Sequence, residues 1–133
     1  MPAKSVLRKS IEVAGFSHGD LPIPAASRVG NIVATGGIAG VDLTTGKIPP
    51  EPRAQVANAF IVLAKVLEAA GVTVEEVVKV TVFSKDSGIR DFVNEEWVRM
   101  FPDPQSRPAR HLLRVDLPSP LIVQLDALAV AAQ

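Results

Sequence analysis

The sequence has 133 residues, no cysteine, and fourteen acidic side chains balanced by fourteen basic ones. This length suits one domain over residues 1–133, and the lack of cysteine excludes disulfides, thiolate nucleophiles and Cys-ligated zinc. Zero net charge without a basic stripe argues against nucleic acid as the main partner. No apolar run approaches the ~20 residues that cross a bilayer, and residues 1–10 lack the apolar segment of a secretory signal, so we expect a cytoplasmic protein without membrane contact.

Two strands, a long loop and a helix are predicted in the first half of the chain. Residues 10–14 form a short edge strand, and residues 15–27 form a loop because its two prolines remove backbone donors. Residues 31–35 are apolar and partly β-branched, which predicts a strand. From 53 to 70 the apolar residues recur at helical spacing, which predicts a helix with one buried face.

The second half predicts a strand over 77–85, a helix over 89–100, and strands over 111–115 and 121–131. The resulting order favours an α+β sandwich with both helices on one sheet face. Residues 121–131 are largely apolar on both sides, although an antiparallel sheet in a monomer should have one solvated face. The second face therefore needs a cover, and self-association is the simplest one.

Several short motifs follow one another in a specific order and spacing. They are Arg28-Val29-Gly30-Asn31, Thr35-Gly36-Gly37, Leu67-Glu68-Ala69-Ala70-Gly71, Val77-Val78-Lys79-Val80-Thr81-Val82-Phe83 with Lys85-Asp86, Val93-Asn94, Arg107-Pro108-Ala109-Arg110, and Ala127-Leu128-Ala129-Val130. Together they make the chain, from Pro22 onward, resemble the RidA/YjgF family. Pro-Ala-Arg is the most specific of these motifs.

The resemblance implies a chorismate-mutase-like two-layer sandwich, with a mixed β-sheet and two helices on one face, that assembles into a homotrimer. It places the active sites in the clefts between subunits. The implied reaction is hydrolysis of reactive imines or enamines, such as 2-aminoacrylate, to a keto acid and ammonia. The implied substrate is a small carboxylate, and no cofactor takes part.

Arg110 matches the arginine that binds the substrate carboxylate in this family. A guanidinium presents a rigid fork of donors that meets a carboxylate bidentately, which both binds and orients it. Orientation matters because the imine carbon must face an attacking water. The alternative is a surface arginine held in an ion pair.

Gln124 stands where deaminating members of the family have a glutamate that handles water and protons. A glutamine is neutral and cannot act as a general acid or base, although its amide can position a water. The alternative is a polar strand residue that only satisfies its neighbours. Asp126 lies two residues on, on the same strand face but roughly 7 Å away, and is a candidate for the missing carboxylate.

Six other residues match positions near the family's substrate. The backbone of Gly36 and Gly37 would face it, although a simple bulge explains a glycine pair equally well. Asn94 and Trp97 match cleft-adjacent positions, and a core role explains Trp97 better. Ile23 replaces an aromatic residue and Leu112 replaces a cysteine of some members, which predicts a pocket of altered shape.

The two histidines have different expected roles. His18, in the loop before Pro22, could lie over the cleft and replace the glutamate as proton carrier, or it is a solvated loop residue. His111 follows Arg110, so it points to the opposite face and favours a structural or interface role. Two histidines without chelating spacing do not predict a metal site.

The sequence thus favours a deaminase and leaves other functions open. One hypothesis is a pathway-specific branch of the family such as 2-aminomuconate deaminase, in which Arg107 or Arg28 would bind a second carboxylate. A trimer that binds small carboxylates without turnover is the main alternative, and Gln124 favours it. A ribonuclease function is disfavoured by the zero net charge and the lack of an aromatic-basic strip.

Overall fold

The computed structural model describes residues 7–132, so the predictions for residues 1–6 lie outside it. It shows one mixed sheet and two helices: β1 (Lys9–Ile11), β2 (Ala26–Val29), β3 (Ile32–Thr35), β4 (Ile38–Ala39), α1 (Pro52–Ala69), β5 (Val77–Ser84), α2 (Arg90–Met100), β6 (Ala109–Arg114) and β7 (Val123–Val130). Short 3₁₀ turns at Val74–Glu76 and Ser87–Ile89 precede β5 and α2. Within the described range, neither helix is long and apolar enough to cross a membrane.

The strands lie in the order β1-β2-β3-β7-β5-β6, and β4 also pairs with β7. Among the described strands, β5 and β6 form the parallel pair and the other pairs are antiparallel. The predicted α+β sandwich with a mixed sheet is confirmed. The loop predicted over residues 15–27 was wrong at its end, because Ala26 and Ser27 pair with Thr35 and Ala34 in a hairpin that turns at Gly30.

The core lies between the sheet and the two helices. Every second residue of β7 points into it: Val123, Leu125, Ala127 and Ala129 are all buried. The apolar face of α1 covers them, and fully burying a side chain of this kind stabilises the fold by roughly 1.5–3 kcal/mol. The helix ends at Ala69, and Gly71 follows it with a φ of 80° that suits glycine; the N–H of Val72 donates to the carbonyl of Leu67.

The sheet face turned away from the helices, here called the open face, has no cover from residues 7–132. Its exposed apolar side chains are neighbours in the strand register, since Ile32 lies opposite both Val29 and Val130. Leu128 extends the same patch beside Ala34. The apolar second side that the sequence predicts for β7 is therefore present at its C-terminal end.

Gln55 of α1 is fully buried, and its amide connects the loop before α1 to the loop before β7. Its Nε2 donates to the carbonyls of Pro49 and Pro120 at 3.0 and 3.2 Å. Its Oε1 accepts from the N–H of Ile122 at 2.7 Å. One side chain thus satisfies three backbone groups around the start of α1 and the start of β7.

Replacing Gln55 by Leu should destabilise the protein by about 3–5 kcal/mol, because two carbonyls and one N–H would lose their partner in the interior. The matched control is Asn58→Ala, which removes one longer bond of 3.4 Å to the carbonyl of Gly40, and should cost below about 1 kcal/mol. Urea denaturation gives both values. Equal losses in the two variants would contradict the prediction.

Candidate functional site

Arg110 lies on the edge strand β6 and points toward the helix layer. It is directly opposite Val80 of β5, which is fully buried under the helices. Its Nη2 donates to Asn94 Oδ1 at 2.8 Å, and its guanidinium carbon lies 5.0 Å from the centre of the Trp97 ring. We call Arg110, Asn94 and Trp97 the arginine cluster.

The Arg110 guanidinium carries its charge without a counter-ion from residues 7–132. The salt bridges of that range do not include it, and its hydrogen-bond partner Asn94 is neutral. Burial, and then the positive charge of Arg90, lower the pKa of Arg110 from its usual range. A half-buried guanidinium with free donors and no acidic partner is suited to bind an anion, and a carboxylate fits its fork.

Trp97 and Leu112 serve the core as well as this cluster. The Trp97 side chain is buried and packs edge-to-face on Phe101, with ring centres 4.7 Å apart. Its other role is the platform under the Arg110 guanidinium. Leu112 lies two residues beyond Arg110 on the same face and is partly buried against the core.

A second cluster forms at the break between β3 and β4, which both pair with β7. At this break the Thr35 hydroxyl accepts from the N–H of Ala127 and donates to the carbonyl of Gly36. A Cβ on Gly37 would lie only 2.7 Å from Cδ of Gln124, so glycine is required for this side chain to lie where it does. The glycine pair therefore interrupts the strand and also lets the Gln124 side chain lie against the backbone of Gly37.

His18 lies over the same break between β3 and β4. Its Nε2 lies 2.9 Å from the carbonyl oxygen of Gly37, and a carbonyl can only accept, so Nε2 carries the proton. The ring stacks edge-to-face on Phe16, and its buried Nδ1 has no hydrogen-bond partner within residues 7–132. We call His18, Gly36, Gly37 and Gln124 the glycine cluster.

The two clusters lie on opposite faces of the sheet. Gln124 stands between Val123 and Leu125, which are fully buried on the helix side, so its side chain points to the open face. Arg110 points to the helix side, and β5 separates the two strands. One chain therefore does not bring Arg110 and Gln124 together.

Ile23 and Asp126 are near members of the glycine cluster in the sequence, following His18 by five residues and Gln124 by two. Ile23 is half-exposed in the loop that carries His18, two residues before Ala25, whose carbonyl accepts from the N–H of Gly36. Asp126 lines a cavity of about 200 Å³ on the open face with Thr81 and Lys79. Burial raises its pKa, and a hydrogen bond from Thr81 and the charge of Lys79 partly offset this.

The arginines suggested for a second carboxylate are occupied by backbone carbonyls. Arg107 Nε donates to the carbonyl of Phe101 at 2.8 Å. Arg28 donates to the carbonyls of Ala70 and Gly30 at 2.8 and 2.9 Å, at the end of α1 and in the β2–β3 turn. Arg90, whose positive charge adds to the effect of burial in lowering the pKa of Arg110, was not predicted as a site residue from the sequence. Its spacing was the available signal, because it precedes Asn94 by four residues and Trp97 by seven and so lies on the same helix face.

His111 points to the open face, where it lies opposite Thr81, which in turn lies opposite Asp126. It therefore faces away from Arg110. Across residues 7–132 the structure holds no group of three or more His, Cys, Asp or Glu side chains arranged to bind a metal.

Comparison with known proteins identifies the family. The model of the endoribonuclease L-PSP family matches residues 23–131. The chain belongs to the RidA/YjgF/RutC family. This RidA-type chain is 35% identical over 114 residues to a RutC family protein of Haemophilus influenzae, covering 82% of the chain and 86% of the relative.

Two further relatives are from Escherichia coli. The 2-iminobutanoate/2-iminopropanoate deaminase of strain K12 is 34% identical over 106 residues, which cover 77% of the RidA-type chain and 81% of the relative. The crystal structure of the YjgF gene product superposes with a TM-score of 0.83 at 29% identity, over 93% of this chain and 99% of that one. The fold and a RidA-type function in the broad sense are thus established.

Gly37→Ala should displace the Gln124 amide of this RidA-type protein without unfolding it. Gly37 has no positive φ, and the clashing atom is the end of a flexible side chain, so the free energy of unfolding should change by less than about 1 kcal/mol. The Gln124 side-chain amide signal in a ¹H–¹⁵N NMR spectrum should shift. Gly36→Ala is the matched control, because its Cβ would meet His18 at an ordinary 3.6 Å. An unmoved signal in Gly37→Ala would show that the contact is absent.

Proposed function

We propose that the protein hydrolyses reactive 2-imino and enamino acids to keto acids and ammonia. The observation that carries the proposal is Arg110, a half-buried guanidinium held by Asn94 and Trp97 with no acidic partner in the described range. A site built this way supports carboxylate binding. The name of the E. coli relative, an imine deaminase, supports the choice of reaction.

The proposed reaction requires little from the protein beyond binding the substrate and orienting it toward water. Arg110 holds the carboxylate next to the imine carbon, which fixes the face that water attacks. An enamino acid first tautomerises to the imino acid, as its β-carbon gains a proton and its nitrogen loses one. Addition of water to the imine gives a carbinolamine, and its collapse releases ammonia and leaves the keto acid, so that one water is consumed for each ammonia formed. Gln124 can hydrogen-bond the attacking water but cannot move a proton.

The proton that is transferred during the reaction therefore comes from water or from a nearby titratable group. The two candidate groups are Asp126 and His18. Asp126 lies two residues beyond Gln124 on the same face, and burial raises its pKa toward the range useful for a general acid. His18 is held over Gly37 beside Gln124. Asp126→Asn and His18→Gln distinguish them, since only the proton-transferring group should lower kcat when replaced.

We further propose that the active site forms between subunits of a homotrimer. The arginine cluster and the glycine cluster lie on opposite faces of one sheet, so a neighbouring chain must supply one of them. The exposed apolar patch of Val29, Ile32, Leu128 and Val130 supports a cover by further copies of this chain. The proposed number of three subunits is taken from the family resemblance.

Ammonia release from enzymatically generated 2-iminopropionate, 2-aminoacrylate and 2-aminomuconate tests the reaction. Arg110→Ala should lower kcat/KM about 100-fold or more, because two charge-assisted hydrogen bonds to the carboxylate are lost. Arg99→Ala, which removes an arginine already paired with Glu96 on the same helix, is the control and should retain activity. The preferred substrate then decides between a general deaminase and a pathway-specific branch such as 2-aminomuconate deaminase. Equal rates for both variants would contradict the role of Arg110.

A trimer that binds small carboxylates without turnover is the second candidate, and Gln124 favours it. It predicts saturable keto-acid binding that is lost in Arg110→Ala, no ammonia from the wild type, and turnover gained by Gln124→Glu. Although the family description names an endoribonuclease, the balanced charge of this chain gives no support to RNA as a substrate.

A mixing experiment tests the shared active site. Arg110→Ala and Gln124→Ala are each expected to have low activity alone. After unfolding and refolding together at equal amounts, about a quarter of the sites should combine an intact Arg110 from one chain with an intact Gln124 from the next. Activity should recover to about that fraction of the wild-type rate. Activity that stays at the mean of the separate variants would place both residues in one subunit's site.

A further inference from the structure

Helix α2 presents a second cation on the side that faces Arg110. Arg90, Asn94 and Trp97 are spaced i, i+4 and i+7, which places them on one helix face. Asn94 and Trp97 both contact Arg110, so this face of α2 is turned toward it. Arg90 lies one turn before Asn94 on that face, and its positive charge acts on Arg110.

The two guanidiniums have no acidic partner within residues 7–132. The acidic side chains of the surrounding segment are engaged elsewhere: Glu95 pairs with Arg53, Glu96 pairs with Arg99, and Asp86 accepts from the N–H of Gly88. Asp91 adjoins Arg90 in sequence and forms no salt bridge in this range. Two like charges held close together destabilise one another unless an anion lies between them.

We propose that Arg90 binds a second carboxylate, so that the site selects dicarboxylic imino or enamino acids. The proposal rests on the proposed function and names its substrate class. Arg110 would bind the carboxylate beside the imine carbon and Arg90 the distal one. Arg90 and Asn94 are one helical turn apart on the face of α2 that is turned toward Arg110. Arg28 and Arg107 suit this role less well than Arg90, because each already donates to backbone carbonyls.

Binding of unreactive keto acids tests this selectivity without turnover. Calorimetric titration with 2-oxoglutarate and 2-oxobutyrate should show at least about tenfold tighter binding of the diacid by the wild type, because a second charge-assisted pair forms. In Arg90→Gln the ratio of diacid to monoacid affinity should fall about tenfold. Arg99→Gln, an arginine of the same helix that pairs with Glu96, should leave the ratio unchanged.

Three outcomes overturn the proposal: no preference for the diacid in the wild type, no binding of either acid, or an equal loss for both acids in Arg90→Gln. Turnover of the imines of 2-oxoglutarate and 2-oxobutyrate then separates this proposal from the proposed function. Diacid-selective binding without ammonia release would support Arg90 and reject the deaminase. Ammonia release without diacid preference would support the deaminase and reject the role of Arg90.

Discussion

Strand β7 hydrogen-bonds to β3, β4 and β5, and its side chains alternate between the helix layer and the open face. Because both helices lie on one side of the sheet, alternate residues of this one strand have opposite surroundings. The residues that face the helices are small or aliphatic and fully packed, whereas Gln124, Asp126, Leu128 and Val130 face outward. The position of every group on the open face follows from this alternation, since a register shift of one residue would exchange the two sets.

The same alternation separates Arg110 from Gln124, the two residues of the proposed reaction. Arg110 follows the register of Val80 and points to the helix side, whereas Gln124 follows that of Phe83 and points to the open face. In the proposed reaction, a carboxylate bound by one side chain and a water held by the other would therefore require two copies of the chain. The uncovered open face and the separation of Arg110 from Gln124 both follow from the position of the helices on one side of the sheet.

The arginines of this chain show how local partners decide the role of a charged side chain. Arg28 and Arg107 donate to backbone carbonyls at the ends of α1 and α2. Arg53 and Arg99 pair with glutamates. Arg110 instead meets a neutral amide and an indole ring, which hold the guanidinium in place without neutralising it. A neutral, rigid support of this kind leaves the charge available to a ligand.

The sequence by itself determined the helices, the longer strands and the family, because these depend on local periodicity and on motifs contiguous in the chain. It also placed Gln124 on the last strand and the glycine pair just after β3, whereas β6 begins two residues earlier than predicted and so includes Arg110. The strands β2 and β4 were not predicted: β4 has only two residues and pairs with the distant β7, and β2 follows a proline-containing loop and is defined by its pairing with β1 and β3. The separation of Arg110 from Gln124 and the pairing of His18 with Gly37 were likewise decided by tertiary structure. So were the occupied donors of Arg28 and Arg107. Each depends on which distant backbone a side chain meets, and residue spacing along the chain contains no information on that.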